Sequence, residues 1–240
     1  MGLAVSPPSI APARVVATGG KETAGNLVTR ARPSKNARRG PAAAHGPNQG
    51  RLQIIGGSFR GRKLSYCRWA GTRPMKQRVR AATFNLLGPA VTGKHAIDLF
   101  AGSGALGLEA ISRGAASATF IERHVPTAAL IRQNIAALGV EDRTEVLTVS
   151  AFVWAERPKR LPQAAWVVFC SPPYDYYGER REAMLRLIEG ITNDAPEGSI
   201  LVVEADDRLD FASVPDAAAW DVRSYRPARL GIRTIRPGGR

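Results

Sequence analysis

Two short stretches hold residues whose types and spacing can do chemistry. The first runs Asp98-Leu99-Phe100-Ala101-Gly102-Ser103-Gly104-Ala105-Leu106-Gly107. It is a G-x-G-x-x-G pattern placed after a strand-like run and before a helical one, the context in which glycine loops cradle ligands. Gly102 and Gly104 let the main chain approach a ligand that a Cβ would hold off. Glu122 follows at about the ~20-residue offset where an acid meets ribose hydroxyls in dinucleotide folds. Asp98 puts a carboxylate beneath the loop, which repels a pyrophosphate and favours a cation. That preference points away from a nicotinamide cofactor and toward S-adenosylmethionine, whose amino group and sulfonium are positive. Taken alone, the same residues also suit a tight turn over a buried aspartate.

The second stretch is Ser171-Pro172-Pro173-Tyr174, delivered by the apolar run Trp166–Cys170. Two prolines fix φ and lack amide hydrogens, so their carbonyls are held rigidly. The amino group of a nucleobase is a poor nucleophile because its lone pair is delocalised into the ring. Acceptors on both of its hydrogens, here the Ser171 hydroxyl and the Pro172 carbonyl, favour the pyramidal, reactive geometry. Tyr174 is suited to stack on a base drawn out of its helix, worth ~1–3 kcal/mol.

These residues need a frame with strand ends side by side. Strand patterns fall at His95–Phe100, Ala118–Glu122, Thr144–Val149, Trp166–Cys170, Ser199–Glu204, Trp220–Tyr225 and Ile232–Ile235. Helical patterns fall at Leu106–Arg113, Val125–Leu138, Phe152–Arg157 and Glu179–Thr192. Such alternation predicts an α/β fold, a mostly parallel seven-stranded sheet covered by helices on both faces. Its carboxyl edge is where ligands bind. Ahead of it, Arg51–Tyr66 reads as a hairpin or strand-like arm around Gly56-Gly57, and Pro74 starts a helix reaching Leu87.

The charge points to a polyanion. Among 240 residues, 34 are Lys or Arg and 20 are Asp or Glu, a net +14 with a sequence pI near 10.8. Residues 1–50 hold seven basic residues and Glu22 as their one acid. This Ala-, Pro-, Gly- and Arg-rich stretch has no aromatic residue and reads as a disordered basic tail. Residues 51–90 are expected to bind RNA and 91–240 to form the catalytic domain. Arg60, Arg62, Lys63, Arg73, Lys76, Arg78 and Arg80 cluster ahead of the sheet, and Arg73, Lys76 and Arg80 would share a helix face. Two cysteines, Cys67 and Cys170, exclude a disulfide framework, and three scattered histidines offer no metal-ligand spacing. The longest apolar run, Ala164–Cys170, is too short to span a membrane. A cytoplasmic monomer without metal or membrane is expected. The acid-poor start leaves organellar import open, and Met1–Ser6 fits the loose myristoylation pattern.

With both stretches placed, the chain resembles the RsmD family of methyltransferases. The likeness rests on Leu52–Leu64 ("LQIIGGSFRGRKL"), on Arg73-Pro74 with Arg78-Val79-Arg80 and Phe84-Asn85-Leu86-Leu87, and above all on Asp98–Ala110. The resemblance implies a Rossmann-like class I methyltransferase fold. It also implies transfer from S-adenosylmethionine to the N2 amino group of a guanine in 16S ribosomal RNA, free or in a small-subunit assembly particle. By position it assigns Asp98, Phe100, Ala101, Gly102, Ser103 and Gly104 to the methionine side of the donor, and Glu122 to the ribose. Ser150 and Ala151 go to the adenine, and Ser171, Pro172, Pro173 and Tyr174 to the target base. The chain departs from the family at Ser171, where Asp or Asn is usual, and at Met75, Gln77, Ala81 and Ser150. Ser-Pro-Pro-Tyr is familiar from cytosine-N4 DNA methyltransferases, so a DNA amino methyltransferase stays open. A non-catalytic RNA-binding or ribosome-assembly factor stays open as well.

Overall fold

A computed structural model describes residues 49–67, 75–157 and 161–236. The expected tail up to residue 48, Arg73 and Pro74 lie outside the described residues. The first described element, β1 (Gln49–Gln53), begins two residues inside that tail and pairs antiparallel with β2 (Lys63–Cys67), Leu52 opposite Leu64. Helix α1 spans Gln77–Leu87. Then come β3 (His95–Asp98), α2 (Ala105–Ser112), β4 (Ser117–Ile121), α3 (Val125–Leu138), β5 (Thr144–Leu147) and α4 (Ala151–Ala155). The chain continues through β6 (Trp166–Cys170), α5 (Tyr176–Glu179), α6 (Arg181–Asp194), β7 (Ile200–Ala205), β8 (Asp221–Tyr225) and β9 (Ala228–Thr234).

Strands β3 to β9 make one seven-stranded sheet in the order β5-β4-β3-β6-β7-β9-β8. The first five are parallel; β9 runs antiparallel to both β7 and β8. From β3 the chain first builds outward through β4 and β5, then returns to place β6 on the other side. The strand order therefore reverses between β3 and β6, and the crevice at their carboxyl ends is the natural ligand site.

The central strands are apolar along their length because helices cover both faces. Alternate residues feed two cores. Ala96, Val167, Phe169, Ile200 and Val202 meet α1, α2 and α3; Ile97, Val168, Leu201 and Val203 meet α4 and α6. Ile54 and Leu64 of the hairpin region and Val79, Phe84 and Leu87 of α1 belong to the first core, with the Phe84 and Phe169 rings 5.5 Å apart. Each such side chain contributes about 1.5–3 kcal/mol by its burial.

Strand β6 and helix α3 fall on their expected boundaries, the helix fixed by Pro126 in its first turn and by Gly139, with φ 68°, just past its end. Others shift by one or two residues at their ends, and two elements differ by more. The expected helix Glu179–Thr192 is two: Arg180, at φ −130°, interrupts it, leaving α5 and α6. The expected strand Ile232–Ile235 starts four residues earlier, because β9 pairs with β7 from Ala205 opposite Arg229 to Ile200 opposite Thr234.

Candidate active site

Asp98 ends β3 and is 1% exposed. Helix α2 lacks a side-chain cap, since its first turn follows Gly104. Asp98 fills that role from the strand: its Oδ2 accepts the Gly107 N–H at 3.1 Å. Its Oδ1 is buried and has no hydrogen-bond partner among the described residues. Burial pushes the carboxyl up to about 7; the Gly107 N–H opposes the shift, and the charge of Glu122 adds to it. A buried carboxylate oxygen left without a donor is costly unless a ligand supplies one.

The glycine loop lies between Asp98 and Glu122. Gly102 and Gly104 have φ of 51° and 74°, which L side chains rarely adopt. Glu122 stands just beyond β4, its Oε2 accepting the Gly102 N–H at 2.9 Å and its Oε1 the His124 N–H at 2.8 Å. The Ser103 carbonyl accepts from the Asn134 amide at 3.2 Å, and the same amide group donates to Ser65 of β2 at 2.8 Å. Carboxylates on both sides suit a cationic ligand and oppose an anionic one. The donor's fit rests on the orphaned Asp98 oxygen: an ammonium there would satisfy it.

Phe100, after Asp98 and Leu99, joins Phe152 and Tyr176 in an aromatic rim, with ring centroids 5.9–6.2 Å apart. The Arg180 guanidinium lies 5.1 Å from the Tyr176 ring and that of Arg123 5.9 Å from it. Ser150 precedes α4, its carbonyl taking the Trp154 N–H at 2.9 Å, and Ala151 behind it is buried.

Across the crevice, β6 hands over to Ser171 beside β7. Pro172 is buried, Pro173 exposed and Tyr174 half-buried. The Pro173 carbonyl accepts the Tyr176 N–H at 3.0 Å, starting α5, while no described residue donates to the Pro172 carbonyl. Ser171 donates its hydroxyl to Glu204 Oε2, and Tyr174 donates to Glu204 Oε1 at 2.9 Å. Tyr177 donates to the Glu204 carbonyl at 2.8 Å. Glu204 is 4% exposed, and burial raises its pKa, with the Ser171 and Tyr174 hydroxyls pulling the other way. Burial and the Glu204 charge hold the Tyr174 phenol protonated. Sequence reasoning did not single out Glu204. Its signal was a lone carboxylate in the otherwise apolar run Ile200–Ala205, near a carboxyl end.

The basic cluster divides. Arg60, Arg62, Lys63, Lys76 and Arg78 are exposed. Arg62 also donates to the Ala137 carbonyl, and Arg78 to the Arg226 carbonyl at 2.7 Å. The expectation that Arg80 faces RNA is corrected. It is 2% exposed, donates to the Gln53 carbonyl at 2.6 Å, and has Nε 3.8 Å from Glu109. Nor do Lys76 and Arg80 share an exposed helix face, because α1 begins only at Gln77. Among the described residues, no group of three His, Cys, Asp or Glu is placed to hold a metal.

The chain is similar to known proteins in sequence and fold. The family model described as "Conserved hypothetical protein 95" matches residues 52–227. Ribosomal RNA small subunit methyltransferase D of Escherichia coli K12 is 41% identical over 182 residues, covering 75% of this chain and 86% of that one. The solved structure of a putative methyltransferase, yhhF, from Escherichia coli superposes with a TM-score of 0.62 at 31% identity, over 78% of this chain and 99% of that one. An RNA methyltransferase from Salinibacter ruber, solved with S-adenosyl-L-homocysteine, shares the fold at a TM-score of 0.50 and 18% identity, over 69% of this chain and 95% of that one. The match takes in the hairpin, the glycine loop and the Ser-Pro-Pro-Tyr corner together, and the chain belongs to the RsmD family of methyltransferases.

Proposed function

We propose that the protein transfers a methyl group from S-adenosylmethionine to the N2 amino group of a guanine in small-subunit ribosomal RNA. When bound, the donor supplies a methyl on a positively charged sulfur, a carbon open to in-line attack. The observation that carries the reading is the buried Asp98 Oδ1, which has no hydrogen-bond partner among the described residues and ends the strand paired with β6 just ahead of Ser171. Asp98 would hold the donor's ammonium, with the Gly102–Gly104 turn beside it. Glu122 has acceptor capacity remaining on both oxygens for ribose hydroxyls, since each carboxylate oxygen takes about two donors. Ser171 and the Pro172 carbonyl would take the two hydrogens of the target amino group, and Tyr174 would stack against its ring. Rate enhancement then comes from positioning and electrostatics. Arg60, Arg62, Lys63, Lys76 and Arg78 are the residues proposed to grip RNA phosphates while the guanine is extruded, a step costing a few kcal/mol. A ribosomal substrate assigns the protein to the cytoplasm or to an organelle that builds its own ribosomes.

The test is mass-spectrometric mapping of modified nucleotides in small-subunit RNA from cells with and without this chain. One N2-methylguanine lost with the chain is expected; an unchanged map overturns the proposal.

A further inference from the structure

The crevice contains a carboxylate that no step above uses. Glu204 is sealed beneath the Ser-Pro-Pro-Tyr corner, and the one proton of Ser171 is already committed to it. A hydroxyl so engaged has only lone pairs left for the crevice, so it faces an amino group as an acceptor. Methylation leaves a proton to dispose of, and the shortest route from a base held on Ser171 leads to Glu204. Resting on the reading that Ser171 holds the target amino group, we propose that Glu204 accepts the proton released on methyl transfer, relayed through the Ser171 hydroxyl.

The step balances. The nitrogen lone pair forms the N–C bond as the C–S bond breaks, its electrons remaining on sulfur, which passes from sulfonium to neutral thioether. The nitrogen, now positive, gives a proton to Ser171 Oγ while the hydroxyl's own proton moves to Glu204 Oε2. Glu204 ends neutral and later returns the proton to water. Burial favours the neutral acid, so the carboxylate takes up a proton more readily than an exposed one. Tyr174 on its other oxygen keeps the carboxylate aimed at Ser171.

The groups around Glu204 are these. Ser171 and Tyr174 face it from the loop after β6 and Tyr177 from α5, and Leu230 of β9 lies opposite in register. The nearby charges are engaged elsewhere: Asp206 pairs with Arg208 at 3.6 Å, and Arg229 donates to the Leu209 carbonyl at 3.2 Å. Among the described residues, no cation forms a salt bridge with Glu204.

The test uses the full chain, donor and small-subunit ribosomal particles, and compares wild type with Glu204→Gln, which keeps size and one accepting oxygen but takes up no proton. Donor affinity by calorimetry is expected within twofold of wild type. The single-turnover rate is expected to fall 100-fold or more and to lose the acid limb of its pH profile. Without donor, the difference in melting temperature, variant minus wild type, should grow as pH rises, because only wild type loses stability through the raised pKa of Glu204. Ser171→Asp added to Glu204→Gln puts a carboxylate directly at the amino group and should recover tenfold or more of the lost rate. A Glu204→Gln rate within threefold of wild type, a pH-independent melting difference, or no recovery in the double variant each overturn the relay. A wild-type chain inert on these particles overturns the relay and the proposed function together, so the two failures are distinguishable.

Discussion

Helix α2 stands between two buried carboxylates that have opposite fates. Glu109, on the helix, is fully buried and filled: it accepts the Ile55 and Gly56 N–H groups at 2.8 Å and Arg113 Nε at 2.9 Å, with Arg80 Nε 3.8 Å away. Asp98, beneath the helix start, takes one N–H and leaves an oxygen bare. The paired glycines differ in what surrounds them. A Cβ on Gly56 or Gly57 would strike Arg113 or the Ser112 carbonyl, so these glycines admit the end of a helix. Gly102 and Gly104 instead shape a turn, at φ 51° and 74°, and a Cβ on Gly104 would meet the Ile131 side chain at 3.1 Å. Burial alone does not separate the two acids; unfilled hydrogen-bonding capacity does.

The contrast can be broken most violently at Glu109. Glu109→Ala leaves the Arg80 guanidinium buried without its partner and two N–H groups unmet. Denaturant unfolding should register a loss of about 3–5 kcal/mol. Asp98→Asn should do the reverse. Donor affinity, read by calorimetry, is expected to fall at least 100-fold while the fold survives. The sign of its stability effect follows from the raised pKa: Asp98 supports the fold below about pH 4, and that support is lost as pH rises through about 7. Above pH 7 the donor-free variant should therefore melt higher than wild type. For the same reason wild-type donor affinity should rise with pH and level off above about 7, with a proton released on binding at lower pH.

Smaller effects sharpen the comparison. Gly57, at φ 75°, is strained by any side chain, and Gly57→Ala should cost about 1–3 kcal/mol in unfolding experiments with donor affinity unchanged. Replacing Arg60, Arg62 and Lys63 together by alanine should leave both stability and donor affinity alone. The slope of log RNA affinity against log salt should flatten by about 2, at roughly 0.7 per phosphate contact.

How far the sequence carried depends on whether a residue's role is local. The glycine loop and β6 were legible because a turn and a buried strand write their requirements into neighbouring positions. Gly56-Gly57 were legible as glycines but not in purpose, since the partner they admit, Ser112-Arg113, lies more than fifty residues away. Arg80 misled for a related reason. Five exposed arginines and lysines and one buried arginine look alike in a basic run, and only the packing of Glu109 separates them. Glu204 was hidden because its hydroxyl partners come from a neighbouring strand's loop, through a register that only the assembled sheet fixes.

The reversed direction of β9 has an evolutionary consequence. Ala205, at the carboxyl end of β7, pairs with Arg229, and Tyr225 pairs with Ala228, so the β8–β9 tip emerges on the same rim as Ser171 and the glycine loop. Arg78 fastens that tip by its Tyr225 and Arg226 carbonyls. Residues inserted there would grow over the mouth of the crevice while every strand keeps its neighbours. A lineage can in this way reshape which nucleic acid enters without disturbing the pocket that holds the methyl donor.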